Sequence, residues 1–210
     1  MPDTYANFYA LSRDETPGID FRIHLTRADA AIALVAPHGG GIEPGTSEIA
    51  EAIAGERFSC YSFDGLKRSG NSELHITSTH FDEPMCIALI AQSDVVVTIH
   101  GEAGEASDAA VFLGGSNNEL GEQIGTALTN SGFLVRPQPN RDLLGLEPCN
   151  LCNRGRSARG VQLELSLALR RTMFQSLTRE GRRYPQAPFE AFVAAVSQAL
   201  DQHSPLPNVR

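Results

Sequence analysis

The segment AAIALVAPHGGGIEPG, residues 30–45, carries the strongest signal for the fold. Residues 30–36 form an uninterrupted apolar run, which predicts a buried β-strand. We expect the strand to end at Pro37, before a turn of three consecutive glycines, and Pro44 then opens a helix that closes near Gly55. A buried strand followed by a glycine-rich turn and a helix is typical of an α/β layer fold.

The rest of the chain repeats this alternation of strand and helix patterns. The alternation predicts an α/β fold of three layers, with a mixed, mostly parallel sheet between helices on both faces. Residues 137–159 show neither period and are expected to be irregular. The predicted strands are residues 30–36, 57–63, 74–79, 94–99, 109–113, 133–136 and 161–165, and the predicted helices span residues 44–54, 84–92, 118–130, 167–177 and 189–202.

Length and composition narrow the class of protein. The chain has 210 residues, 41% of them hydrophobic and 20% charged, which predicts one folded domain over residues 1–210. A net charge of −8 argues against a nucleic-acid partner, because phosphate binding needs clustered positive charge. The first eight residues carry no secretory pattern and no apolar run is long enough to cross a membrane, so a cytoplasmic location and no membrane partner are predicted. Nothing in the sequence indicates the oligomeric state.

Four cysteines are present, and two of them, Cys149 and Cys152, form a CxxC motif. Such a motif serves in redox chemistry or as half of a structural metal site. The chain has no second CxxC, and the motif does not lie between a strand and a helix. The pattern therefore does not favour a redox function.

The best candidate for chemistry is a metal site formed by His38, Glu43 and His100. His38 and Glu43 flank the triple glycine, and His100 follows the apolar run VVVTI, so both histidines fall at the ends of predicted core strands. Ligands bind at the carboxyl ends of strands in open α/β sheets. Two imidazoles and a carboxylate suit zinc and leave a coordination position for water. Glu48, on the following helix, is the alternative carboxylate ligand.

A second candidate is Glu164, in the predicted strand GVQLELS, residues 160–166. Strand alternation puts Gln162 and Glu164 on one face and the apolar residues on the other. Burying a carboxylate in a core strand costs folding free energy, so such a residue usually has a bonding partner or a catalytic function. Either Glu164 pairs with a nearby arginine, or it acts as the general base of a metal-dependent hydrolase.

The irregular segment and its surroundings supply candidate substrate contacts. Arg154, beside Asn153 in the loop of residues 150–155, is suited to gripping a carboxylate through two parallel hydrogen bonds. The alternative is an arginine that is simply solvated. Arg170, just past the strand of Glu164, and His80, at the end of a predicted strand, are further candidates for contacts with substrate.

Four blocks of the chain resemble the poly-γ-glutamate hydrolase family. The blocks are APHGGGIEPGTSEIAEAI at residues 36–53, LHITSTHFDEP at 74–84, VVVTIHGE at 95–102 and CNRGRSARGVQLELSLALR at 152–170. Members of this family occur in phages and bacteria and are often labelled phage-related replication proteins. The residues themselves give that label no support, because they contain neither a basic groove nor a nucleotide motif.

The resemblance implies a zinc-carboxypeptidase-like α/β fold and zinc-dependent hydrolysis of γ-glutamyl amide bonds. It implies that His38, Glu43 and His100 hold the zinc, that Glu164 is the catalytic carboxylate and that Arg154 contacts a substrate carboxylate. The related carboxypeptidases space their first two ligands as HxxE, whereas His38 and Glu43 lie five positions apart, so the ligand geometry differs here.

Two other functions fit the same residues. A zinc amidohydrolase that acts on small N-acyl amino acids needs the same metal, base and carboxylate grip as an enzyme that cuts a γ-glutamyl peptide. A protein that has kept the fold only to bind an anion or a peptide needs the grip but no catalytic carboxylate. The presence of Glu164 therefore favours a hydrolase.

Overall fold

The computed structural model describes residues 3–102 and 108–203. Those residues form a seven-stranded sheet in the order β1-β3-β2-β4-β7-β5-β6. The pairs β1–β3 and β5–β7 are antiparallel, and the remaining neighbours are parallel, which confirms the predicted mixed, mostly parallel sheet. The strands are β1 (Phe21–Thr26), β2 (Ile32–Gly40), β3 (Ser59–Gly65), β4 (Val95–Glu102), β5 (Ala110–Gly114), β6 (Leu134–Pro137) and β7 (Val161–Ser166).

Helices cover both faces of the sheet and complete the predicted three layers. On the first face, α1 and α3 pack with side chains such as Val35, Phe63 and Val96. On the second face, α2, α4, α5 and α6 pack with side chains such as Val97 and Leu163. The helices are α1 (Phe8–Asp14), α2 (Thr46–Ala54), α3 (Pro84–Ile90), α4 (Asn118–Asn130), α5 (Leu167–Met173) and α6 (Ala187–His203). None of these helices is long and apolar enough to span a bilayer.

The strand predicted at residues 74–79 is wrong. A 3₁₀ turn, Asn71–Leu74, leads into an irregular segment that pairs with no strand of the described sheet. Leu74 and Ile76 are fully buried against the first face, so their apolar spacing reflects a loop that packs on the core. We call residues 75–81 the bracing loop, because its polar groups turn toward the histidines described below.

Several boundaries also differ from the prediction. The sequence patterns did not predict α1 or the edge strand β1, in which every second side chain is exposed. The helix predicted at residues 167–177 ends at Met173, because Phe174 is extended and bridges to Pro185. β4 runs to Glu102, so His100 lies inside the strand rather than beyond it.

A β-bulge near the end of β2 decides where His38 points. Ala36 lies opposite Ser62 of β3 and Gly39 opposite Asp64, so Pro37 and His38 together face one residue of β3. Without the extra residue, His38 would follow Ala36 onto the second face. Bulges re-aim side chains next to active sites, and here His38 turns to the first face.

Gly39 allows the bulged strand to press against its neighbours. A Cβ atom at Gly39 would collide with Ser47 Oγ and Asp64 Oδ1. Those two atoms are hydrogen bonded to each other, and Ser47 Oγ also accepts a bond from the Gly40 N–H at 3.1 Å. Because Gly39 has no side chain, β2, β3 and the first turn of α2 can approach closely enough for these bonds to form.

We predict that Gly39→Ala lowers the free energy of unfolding by about 1–3 kcal/mol, because the added methyl group overpacks this contact. The matched control is Gly121→Ala in α4, where an added Cβ meets nothing within 4 Å. That change should be neutral or stabilise by up to about 1 kcal/mol, because alanine favours a helix. Urea unfolding of both variants measures the difference, and equal effects would contradict this account of Gly39.

Candidate metal centre

Three histidines and one glutamate converge at the carboxyl ends of the central strands. His38 Nδ1 lies 3.1 Å from Glu43 Oε1 and 3.2 Å from His100 Nδ1. His100 Nδ1 is 3.8 Å from Glu43 Oε2, and His75 Nε2 is 4.0 Å from Glu43 Oε1. His38, Glu43 and His75 each offer one ligand atom within 4.8 Å of the others, which is the spacing of a candidate metal site. The structure therefore brings the three predicted ligands together and adds His75.

A closed turn explains how Glu43 reaches His38 across five positions. The Glu43 N–H donates to the His38 carbonyl at 2.8 Å, so the glycine turn folds the carboxylate back beside the imidazole. Glu43 Oε2 accepts a bond of 2.8 Å from the Gly101 N–H, which ties the turn to β4. Glu48, the alternative ligand, instead pairs with Arg182 at 2.7 Å.

The outer nitrogen of each histidine has its own partner. His38 Nε2 donates to the Ile76 carbonyl at 2.8 Å, and His100 Nε2 contacts Ser78 Oγ at 3.4 Å. His75 Nδ1 lies 2.7 Å from Asp3 Oδ1. Such outer contacts fix ring orientation and tautomer in metal sites. The bracing loop supplies two of these partners, and the third histidine belongs to the loop itself.

The pKa shifts at the centre reflect an acid–base pair of His38 and Glu43 beside a neutral His100. Burial opposes charge on His38, but the carboxylate of Glu43 outweighs it and raises the pKa of His38. Burial likewise raises the pKa of Glu43, and the facing His38 and His100 reverse this, so the pKa of that carboxyl falls to about 2. Burial lowers the pKa of His100 to about 3, which keeps this imidazole neutral and able to donate a lone pair.

Glu164 lies beside this cluster on the first face. It pairs in register with His100 across β4 and β7, and Gln162 Nε2 donates to Glu164 Oε1 at 2.9 Å. Burial, followed by the charges of Glu43 and Glu102, raises the pKa of Glu164 well above its usual value. Glu102 also has a buried oxygen without a hydrogen-bond partner among the described residues. A buried group of carboxylates is stabilised by a positive charge at its centre.

Arg154 reaches the same region through the bracing loop. Its Nη1 donates to the carbonyl of Phe81, the last residue of the loop, at 2.9 Å. The side chain is half-buried, and no carboxylate pairs with it among the residues that the structure describes. A guanidinium has five donor groups, so Arg154 can hold the loop and still meet a further acceptor.

The other predicted substrate contacts occupy different places. Asn153 is buried, and its amide bonds to Gly145, Glu147, Ser116 and Gly160, so none of its hydrogen-bonding capacity is left for a substrate. His80 is exposed on the bracing loop, and its side chain makes no hydrogen bond within the described chain.

Arg170 is buried and bonds backbone groups. A direct contact with substrate was predicted for it instead. Its guanidinium donates to three carbonyls, those of Leu165, Pro44 and Glu102, at 3.2, 2.9 and 2.9 Å. These carbonyls come from the ends of β7 and β4 and from the residue after Glu43. Arg170 therefore fixes the backbone that carries the cluster. It also packs against Gly101, where a Cβ atom would lie 2.6 Å from its Cζ.

His75 is the site residue that sequence reasoning missed. The sequence analysis placed it inside a predicted strand and gave it no function. Its spacing from His38 and His100 carries no recognisable motif, because the bracing loop reaches the cluster only through the fold. Cys149 and Cys152 both stay free, with Cys152 buried and Cys149 exposed, and the CxxC contributes nothing to this centre.

The fold is an open α/β sheet with a histidine and glutamate cluster at the carboxyl ends of its central strands. Together with the buried carboxylate beside the cluster, this arrangement is typical of metal-dependent hydrolases. A family model described as Poly-gamma-glutamate hydrolase matches residues 5–195. The chain belongs to that family, which confirms both the resemblance and the predicted hydrolase class.

Individual relatives agree with the assignment. The SPβ prophage-derived protein YoqZ of Bacillus subtilis (strain 168) is 36% identical over 203 residues, which cover 96% of this chain and 73% of YoqZ. The solved structure of a bacteriophage poly-γ-glutamate hydrolase is 35% identical, with a TM-score of 0.92 over 96% of this chain and 98% of that one. The zinc-free apo structure of YndL is 31% identical, with a TM-score of 0.90 over 96% and 99% of the two chains.

We predict that Arg170→Lys lowers the free energy of unfolding by about 2 kcal/mol or more. A lysine ammonium group cannot reach all three of the buried carbonyls that the planar guanidinium bonds. The matched control is Arg171→Lys, an exposed neighbour on the same helix, which should change stability by less than about 0.5 kcal/mol. Thermal and urea unfolding of both variants measure this. A similar small loss of stability in both variants would mean that the hydrogen bonds of Arg170 do not stabilise the site.

Proposed function

We propose that this protein is a zinc-dependent hydrolase that cleaves γ-glutamyl amide bonds in poly-γ-glutamate or related peptides. The observation that carries the proposal is the convergence of His38, His100 and Glu43 next to the buried Glu164. Membership of the poly-γ-glutamate hydrolase family supports the substrate class. The zinc-free form recorded for YndL supports the choice of metal.

The donor set fits zinc. Two imidazole nitrogens and a carboxylate are a common ligand set of catalytic zinc sites. The Ile76 carbonyl can only accept a hydrogen bond, so His38 Nε2 carries a proton and Nδ1, which lies beside Glu43, is the nitrogen left to bind a metal. A lone pair that faces a carboxylate at 3.1 Å is repelled unless a cation or a proton lies nearby. We propose that His38, Glu43 and His100 hold the zinc in this position.

Zinc, when bound, supplies Lewis acidity that polarises the amide carbonyl and lowers the pKa of water. Glu164 accepts the proton of the attacking water and delivers it to the nitrogen of the departing amine, which is general base and then general acid catalysis. Burial and the neighbouring carboxylates raise the pKa of Glu164, which favours uptake of a proton by this carboxyl. Gln162 orients Glu164 through its bond to Oε1.

Arg154 binds a free carboxylate of the substrate in this proposal. A γ-glutamyl chain carries one α-carboxylate on each unit, and a guanidinium grips a carboxylate through two parallel bonds. Because Arg154 also holds the Phe81 carbonyl, its position is fixed relative to the loop that braces the histidines. His80, exposed on the same loop, is a secondary candidate for contact with the polymer.

The first test is cleavage of γ-glutamyl oligomers before and after chelation, with elemental analysis of the protein. We predict about one zinc per chain, loss of cleavage on chelation and recovery when zinc is restored. His100→Ala should lower zinc content, because it removes a ligand. The matched control His24→Ala, which changes an exposed histidine paired with Glu51, should not.

Each other outcome of this test has a distinct meaning. Zinc with cleavage of small N-acyl amino acids but not of γ-glutamyl oligomers would replace the substrate class. Zinc without cleavage of either would favour a binding protein on the same fold. Absence of zinc even after it is added back would refute the proposal.

We predict that Glu164→Gln keeps the zinc but lowers kcat by roughly 10²–10⁴-fold, the usual contribution of a general base. The amide preserves the shape of the side chain and cannot take a proton from water. Glu122→Gln, an exposed change in α4, serves as the control and should retain activity. Normal kcat in Glu164→Gln, with zinc bound, would rule this residue out as the base.

A further inference from the structure

The N-terminal segment is hydrogen bonded to the start of the bracing loop and to the residue that follows the loop. Asp3 Oδ1 lies 2.7 Å from His75 Nδ1, and Asp3 Oδ2 accepts a bond of 2.7 Å from the Thr77 N–H. Five residues later, the Phe8 N–H donates to Asp82 Oδ1 at 2.7 Å, just past the end of the loop. A segment far from the site in sequence therefore holds the loop that carries His75.

The two bonds of Asp3 determine the tautomer of His75. An ionised carboxylate only accepts hydrogen bonds, so His75 Nδ1 must be the donor in this pair. Nε2 of the neutral ring is then left with a lone pair. That lone pair belongs to the atom that lies 4.0 Å from Glu43 Oε1, so it faces the carboxylate of a proposed zinc ligand.

His75 is also fixed in orientation from its other side. Its ring stacks on that of His38, with centroids 4.0 Å apart and planes 30° from parallel. The stacking and the Asp3 contact together hold the ring where a lone pair points into the cluster. His38 Nδ1 and His75 Nε2 thus lie 3.1 and 4.0 Å from the same carboxylate oxygen, Glu43 Oε1, which is a spacing that a metal ion can bridge.

We propose that His75 is an additional donor to the metal centre through Nε2, and that Asp3 is the positioning residue that aims it. This inference rests on the proposed zinc site and extends it. Catalytic zinc sites sometimes expand to five ligands, so a fourth protein donor still leaves one position for water. Carboxylate–histidine pairs of this kind orient metal-ligating imidazoles and make them more basic. Asp3 thereby couples the N-terminal segment to metal affinity.

The test measures zinc affinity by competition with a chromophoric chelator and the absorption spectrum of the cobalt-substituted protein. His75→Ala should weaken zinc binding by at least about ten-fold, and Asp3→Asn should weaken it by roughly ten- to hundred-fold, as loss of such partners does in other metal sites. His75→Ala should also change the cobalt absorption bands, because they respond to the number and kind of ligands. A purely structural loop contact would leave those bands unchanged.

A double variant tests whether Asp3 acts through His75. If it does, Asp3→Asn should add nothing to the loss of zinc affinity already caused by His75→Ala. Full additivity of the two losses would overturn that part of the proposal. Asp14→Asn, an exposed carboxylate at the end of α1, and His24→Ala are the matched controls and should keep wild-type affinity and spectra. Melting of the metal-free variants shows that each one folds.

Failure of this inference differs from failure of the proposed function. If the wild-type protein binds zinc and cleaves γ-glutamyl oligomers while His75→Ala keeps its zinc affinity and cobalt spectrum, the inference is refuted and the proposed function stands. If the wild-type protein binds neither zinc nor cobalt, both are refuted.

Discussion

In β2, Pro37 and His38 together face a single residue of β3, and this bulge sets the side of the sheet on which the chemistry lies. Regular alternation would bury His38 among the second-face helices, away from His100. The bulge requires close approach of the two strands, which Gly39 permits because it has no side chain. The turn that follows then returns Glu43 to His38 through one backbone hydrogen bond.

Most of the support for the cluster comes from outside the strands that carry His38 and His100. The bracing loop provides the Ile76 carbonyl and Ser78 Oγ, and is itself held by Asp3 and Arg154. An irregular segment can place carbonyl, hydroxyl and imidazole groups in directions that a paired strand would reserve for its neighbours. Loss of regular structure at residues 74–79 is therefore what makes those groups available to the site.

The candidate site is a cluster of acidic side chains and imidazoles with few fixed positive charges. Glu164 lies beside the neutral His100, and burial together with the charges of Glu43 and Glu102 raises the pKa of Glu164. The nearby guanidinium of Arg170 is buried, and its N–H groups donate to backbone carbonyls. In the proposed zinc site, the charges that attract the cation therefore also set the proton affinity of the proposed base.

Apolar periodicity and a distinctive glycine block are local signals, and they were enough to predict the α/β class, most strands and helices, the family and the candidates His38, Glu43, His100 and Glu164. Three features of the site depend on the three-dimensional fold. The bulge turned His38 to the first face, the bracing loop brought in His75 and Asp3, and Asn153 and Arg170 proved to bond backbone and neighbouring residues instead. These contacts join segments far apart in the chain, where side-chain direction depends on packing that no local pattern encodes.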